Sequence, residues 1–260
     1  MHDIAPPRSL GRLLLMPNAL DFGVEAGDLS AVIPLGVLRS AAALRHWAVE
    51  DARSARAFLK RVDAIAPLCL PLQQIEIQEL PRPRKGSHET VPAAAWSMLL
   101  APVLAANDMG LLSEAGLPAV ADPGAGLVAA AHRLGIEVLA LSGPSSLILA
   151  LAASGLNGQS FAFVGYLPQE AGLRVARLRE LEGLSRRLGQ TQLMIETPYR
   201  NAALFSALVS TLSPSTQLSV SCGLTLAAGW TRTDSIEHWR SKPSITLPDR
   251  LPAVFALLAH

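Results

Sequence analysis

Short apolar runs alternate with longer stretches of helical periodicity along most of this chain, and few folds accommodate that alternation. RLLLM at 12–16 reads as a strand, 37–44 as a helix and 46–50 as a second strand. The order repeats with MGLLS from Met109, a helix over 126–134, IEVLAL from Ile136 and a helix over 145–154. Strand followed by crossover helix is the signature of a parallel sheet covered by helices. The second half reads as strand 161–166, helix 171–188, strand TQLMIE from Thr191, helix 199–211, strand 216–221 and a last strand from Ala253. Strands there outnumber crossover helices, which predicts a mixed sheet. The fold class expected is therefore α/β, with parallel and mixed sheets and flanking helices. SGLNGQS at 154–160 supplies helix-stop and turn residues, so the expected domains are 1–155 and 156–260.

Composition narrows the function classes. Half of the 260 residues are hydrophobic and 17% are charged, enough apolar content to bury a core. The strongest apolar run, 147–153, falls short of the ~18 residues that mark a membrane span. Near Arg8 and Arg12 the stretch LLLM is shorter than the ~7 residues of a signal-peptide core. A soluble, cytoplasmic protein is expected. Cys69 and Cys222 are far apart and form no zinc-ligand spacing, so neither a metal nor a disulfide framework is expected. The net charge of +1 leaves any polyanion to be held by a local patch. Arg174, Arg177, Arg179, Arg186 and Arg187 are interspersed with Glu180 and Glu182, and this run reads as a solvated helix face rather than an RNA track.

Several motifs admit both a plain and a chemical reading. Gln78 to Val91, rich in Pro, Arg, Lys and Gly, reads as a polar loop able to close over a site. Gly124-Ala125-Gly126-Leu127-Val128-Ala129 matches GxGxxA, but Asp122-Pro123 interrupts the strand-to-glycine approach that a dinucleotide fingerprint requires. Gly143-Pro144-Ser145-Ser146 lacks the second glycine of a serine-nucleophile elbow. It reads as a helix start, with Ser as cap or as a grip on a ligand's carboxylate or hydroxyl. Ser113-Glu114-Ala115-Gly116-Leu117-Pro118 follows a strand and is either an ordinary turn or backbone that a ligand can approach closely. Glu50, Asp51 and Arg53, and also Glu196 and Arg200, stand at strand ends, where charges line clefts or form surface pairs and helix caps.

Four blocks stand in order along the chain: VEDARSARAFLKRV from Val49, LLSEAGLPAVADPGAGLV from Leu111, LSGPSSLILALAASGLNGQSFAFVGYLP from Leu141 and LMIETPYR from Leu193. Together they resemble the S-adenosylmethionine (SAM)-dependent tetrapyrrole methylase superfamily. The likeness is to the branch of the small-subunit rRNA ribose 2′-O-methyltransferases and their relatives. It implies two α/β domains, a homodimer, and SAM in the cleft between the domains, held largely by main-chain groups. By that resemblance Pro17, Gly116, Leu117, Val120, Ser145 and Ser146 fall on cofactor loops. Met194, Cys222 and Ala253 fall on segments that pack around adenosine. Glu50, Asp51, Arg53, Glu196 and Arg200 become the candidates for substrate positioning or proton handling.

The chain also departs from that pattern. Met16-Pro17-Asn18-Ala19-Leu20 replaces a Thr-Pro-Ile-Gly-Asn loop, and Cys222-Gly223-Leu224-Thr225 replaces an Arg-Glu-Leu-Thr segment, removing two charges. His88 lies in the region of the family's His-Asn element. The acceptor implied is an rRNA ribose hydroxyl. The alternatives are a tetrapyrrole or other small molecule, or a SAM-binding protein without catalysis, since fold does not fix substrate.

Overall fold

The computed structural model describes residues 10–20, 27–82, 91–241 and 247–260. His88 lies outside them, as does most of the 78–91 segment. The chain divides into two compact units, Met1–Pro144 and Ser145–His260.

In the first unit β1 (Arg12–Met16), α1 (Leu35–Ala42), β2 (His46–Val49), α2 (Ala52–Asp63) and β3 (Glu76–Glu79) are followed by α3 (Ala93–Leu99), α4 (Ala101–Leu104), β4 (Met109–Leu112), α5 (Ala125–Arg133) and β5 (Glu137–Ala140). The sheet runs β3-β2-β4-β1-β5, and every pairing is parallel. Both faces are covered, which explains the unbroken apolar runs of its central strands. Leu14, Met16, Trp47, Val49 and Leu112 pack under α1 and α2, with Phe58 and Leu59 among their neighbours. Leu13, Ala48, Met109 and Leu111 pack on the other face with α3 and α5 residues such as Leu99 and Leu127. The chain moves from β1 past β4 to β2, then from β4 past β1 to β5, so its winding reverses between the adjacent strands β1 and β4. The carboxyl ends of strands at such a reversal are where open α/β sheets bind ligands.

The second unit contains α6 (Ser146–Ser154), β6 (Phe161–Phe163), α7 (Ala171–Leu188), β7 (Thr191–Glu196), α8 (Asn201–Thr211), β8 (Gln217–Cys222), β9 (Trp230–Ser235), α9 (Ile236–Ser241) and β10 (Ala253–Leu258). Its sheet, β6-β7-β10-β8-β9, is mixed as expected: β6 and β7 are parallel and the other pairs antiparallel. Leu147, Ala150 and Leu151 of α6 bury against Leu193, Val254 and Ala256 on one face. That packing ties α6 to this unit, so the division falls ahead of the helix rather than at the glycine-rich turn that follows it. On the other face Leu178 and Leu181 of α7, Leu204 and Leu208 of α8 and Trp239 of α9 cover Met194, Val220 and Phe255.

Three differences from the sequence-based expectation have physical causes. Gln78 and Glu79 close β3 instead of opening a loop, because the backbone of this polar edge strand pairs with β2. The strand from Phe161 stops at Phe163, three residues short. β9, WTRTDS, carries no strand signal in the sequence: its residues are all half-buried and show no apolar alternation, and its order comes from pairing with β8. No helix among the described residues is long and apolar enough to cross a membrane.

Candidate active site

At the winding reversal the loops that leave β1 and β4 are stitched together. Asn18 and Gly116 form an isolated antiparallel bridge, with the Asn18 N–H donating to the Gly116 carbonyl at 2.8 Å and the Gly116 N–H to the Asn18 carbonyl at 3.1 Å. The Asn18 side chain, 6% exposed, donates to the carbonyls of Ser113 (3.1 Å) and Glu114 (3.0 Å) and accepts from the Ala19 N–H (2.9 Å). A buried amide with its donors and acceptor satisfied fixes a loop far better than an apolar contact does. Pro17, also buried, packs on Gly143, where an added Cβ would come within 2.1 Å of the proline ring.

The backbone beyond Gly116 is unusual. Gly116 (φ 66°), Ala119 (65°), Ala121 (65°) and Gly124 (129°) all have positive φ. Left-handed conformations at two alanines cost energy, and such strain concentrates at ligand-binding loops. Leu117 is half-buried and Val120 is 46% exposed, so this loop presents apolar surface to solvent.

Beside it stands a group of carboxylates. The Glu114 N–H donates to the Glu50 carboxylate at 3.1 Å, and Arg82 donates to the Glu50 backbone carbonyl at 2.6 Å. Burial raises the Asp122 carboxyl to about 6, helped by the charges of Glu50 and Glu114 and partly opposed by a hydrogen bond to Ser113. Glu114 is raised too, by burial and then by Glu50 and Asp51. Asp51 is held differently. It caps α2, accepting from the Ser54 N–H (2.7 Å) and hydroxyl (2.9 Å), and these bonds lower its pKa. Arg53 is exposed on the first turn of α2. Asn18, Glu114 and Asp122 are the residues that sequence reasoning passes over. Each sits in a turn that the motifs mark, but nothing local shows that the turns meet.

In the second unit Ser145 is the N-cap of α6, yet its hydroxyl makes no capping bond, and both Ser145 and Ser146 are half-exposed. The helix start is thus left with unspent donors. Glu196, Ala253, Cys222 and Trp230 lie side by side across β7, β10, β8 and β9. Met194, Cys222 and Ala253 are buried in the core, and burial raises the Cys222 thiol pKa. Glu196 and Arg200 form a 2.6 Å ion pair, with the Glu196 side chain 1% exposed. Glu196 also accepts from the Thr197 N–H at 2.8 Å.

The GxGxxA pattern is accounted for by packing. A Cβ on Gly126 would lie 2.7 Å from the Trp96 indole, so this glycine allows α3 to approach α5. No group of three His, Cys, Asp or Glu suited to a metal occurs among the described residues.

The fold is that of a class of two-domain α/β methyltransferases. It superposes on the methyltransferase CobJ with a TM-score of 0.56 at 14% identity, covering 96% of this chain and 94% of that one. Uroporphyrin-III C-methyltransferase from Thermus thermophilus, in a complex with S-adenosylhomocysteine, gives 0.51 at 18% identity over 95% and 97%. In sequence the chain is related to curated proteins named ribosomal RNA small subunit methyltransferase I. That of Mesorhizobium japonicum is 32% identical over 195 residues, 75% of this chain and 60% of the relative. That of Vibrio cholerae is 38% identical over 103 residues, 40% of this chain and 34% of the relative. The chain thus spans less than two thirds of the length of either relative. No protein-family model matches it. The sequence relatives carry the name of the rRNA-methylating branch that the four blocks resemble, and the solved structures share the fold.

Proposed function

We propose that this chain transfers a methyl group from SAM to a ribose 2′-hydroxyl of ribosomal RNA, as a cytoplasmic homodimer. The observation that carries this reading is the stitched pair of loops at the β1/β4 winding reversal, with carboxylates beside it. SAM bears positive charge on its sulfonium and ammonium groups, and the Glu50, Glu114 and Asp122 carboxylates supply the matching potential. Main-chain groups from Gly116 to Val120 hold the cofactor, with Leu117 and Val120 as apolar contacts and Pro17 fixing the neighbouring turn. The unspent Ser145 and Ser146 hydroxyls at the α6 start suit its carboxylate or ribose.

When bound, SAM supplies an electrophilic methyl group on sulfur. The protein must align the acceptor oxygen with that methyl and take the proton it releases. In this reading Asp122, whose pKa is raised to about 6, takes that proton with Glu50 beside it, and Arg53, exposed on α2, positions the acceptor. Asp51 acts through its cap, holding the start of α2 beside Glu50. Glu196 and Arg200 serve through their ion pair, which holds the end of β7, where the backbone near Met194, Ala253 and Cys222 meets adenosine.

The test is transfer of labelled methyl from SAM into ribosomal RNA taken from a strain lacking the gene. Incorporation above that into RNA from the parent strain supports the reading. Transfer to precorrins but not to RNA replaces the acceptor, and absence of SAM binding by calorimetry at near-millimolar concentration removes the activity altogether.

A further inference from the structure

Helix α7 runs for 18 residues and bears five arginines, with Glu170, Glu180 and Glu182 that look from the sequence as though they neutralise them. The structure distributes these acids otherwise. Glu182 is 7% exposed and turned inward, accepting from the Ser213 N–H (2.7 Å), the Ser213 hydroxyl (3.2 Å) and the Thr216 hydroxyl. Glu180 pairs with Arg177 at 2.7 Å. Glu170 caps the helix, accepting from the Gly172 and Leu173 N–H groups at 2.7 and 2.6 Å.

What remains on the solvent face is basic. Arg179, Gly183 and Arg187 are spaced four apart and Arg186 lies seven beyond Arg179, so all four share one exposed side of the helix. Among the described residues no acidic side chain pairs with Arg179, Arg186 or Arg187; Arg186 donates only through Nε, to the His260 backbone oxygen at 2.9 Å. Gly172, Ala176 and Glu180 are also exposed there, and Leu173, 61% exposed, lies at the start of the helix, so from Ala176 to Arg187 no exposed large apolar group is offered to a bilayer or a protein partner. Proximity to the helix end accounts for Arg186 and Arg187 as partners of the terminal carbonyls, but not for Arg179. Gly183 has no packing reason either: a Cβ there would meet nothing within 4 Å, and glycine is the least favourable helix residue after proline.

We infer that Arg179, Arg186 and Arg187, around the bare backbone at Gly183, form a phosphate-tracking face for single-stranded RNA. This deepens the proposed function by naming where the acceptor's backbone is held, and rests on that reading for the choice of RNA. Guanidinium groups bind phosphate through paired donors, and a glycine notch lets the chain approach the helix closely.

The experiment is fluorescence anisotropy of a labelled single-stranded oligoribonucleotide with the full chain, over a range of salt concentrations. The triple variant R179E/R186E/R187E is expected to bind at least tenfold more weakly, with the salt slope reduced by about 2, at ~0.7 for each phosphate no longer neutralised. A variant of equal charge change on the other unit, R45E/R56E/K60E, is expected to bind as the wild type does. Gly183→Leu weakens RNA binding several-fold while raising Tm, a pair of opposite effects that simple loss of folding does not produce. Equal weakening by the two triple variants overturns the inference, as do unchanged RNA binding in R179E/R186E/R187E or loss of binding to anionic phosphatidylglycerol vesicles instead of RNA. The two readings fail separately. Methyl transfer to rRNA with the same KM in the wild type and R179E/R186E/R187E sinks this inference alone. RNA binding that depends on α7, in a protein that transfers no methyl, sinks only the proposed activity.

Discussion

Pro17 and Gly143 touch so closely that a Cβ on the glycine would lie 2.1 Å from the proline Cβ and 2.4 Å from its Cγ. The proline ring has no rotamer with which to yield, so Gly143→Ala is expected to destabilise the protein by about 2 kcal/mol through overpacking. Gly158, where a Cβ meets nothing, is the control, and Gly158→Ala stays within about 0.5 kcal/mol of wild type. Urea denaturation of both variants measures the difference.

Asn18 joins two loops through its side chain as well as its backbone. Asn18→Ala leaves the Ser113 and Glu114 carbonyls without donors in a buried place, at a cost of about 2 kcal/mol. Asn18→Asp is the more damaging change, because it sets a carboxylate against two carbonyl oxygens. If the stitched loops hold the cofactor, the calorimetric Kd for SAM rises in both variants by more than in Gly158→Ala.

The ion pair of Glu196 with Arg200 is nearly excluded from water on the carboxylate side. Removing one partner strands the other charge, so Glu196→Ala is expected to cost about 3 kcal/mol. The double variant Glu196→Ala/Arg200→Ala recovers part of that loss. A double-mutant cycle with no coupling would show that the pair contributes nothing to stability.

Asp122 has a pKa pushed up to about 6 from the usual 3.8. The folded state therefore binds this proton more tightly than the unfolded state. The stabilisation is complete below about pH 4 and is lost as pH rises through about 6. Asp122→Asn removes that dependence. It is expected to be more stable than wild type at pH 7 by about 1 kcal/mol, since partial exposure screens the burial penalty, and a stability series from pH 4 to 8 reads the difference. In the proposed reaction the same substitution lowers methyl transfer above pH 6, where wild-type Asp122 is ionised.

The central strands, and the helices near 37–44, 126–134, 145–154, 171–188 and 199–211, were legible in the sequence because burial leaves a local record: a strand covered on both faces must be apolar throughout, as MGLL of β4 is; α2, β3, α3, α4 and α9 were not read from it. The four motif blocks marked the turns that build the site for the same reason, since glycine and proline report backbone shape directly. β9 left no such record, being a polar edge strand ordered by its neighbour.

By itself, then, the sequence determined the α/β class, the parallel and mixed sheets and which turns to watch. Tertiary structure alone decided the pairings. It set Asn18 against Gly116 across nearly a hundred residues, buried Asp122 beside Glu50 and Glu114 so that its carboxyl rises to about 6, and turned Glu182 into the core so that the arginines of α7 face solvent without it. Charge and hydrogen bonding act through space, and a neighbour in space is not written in the spacing along the chain.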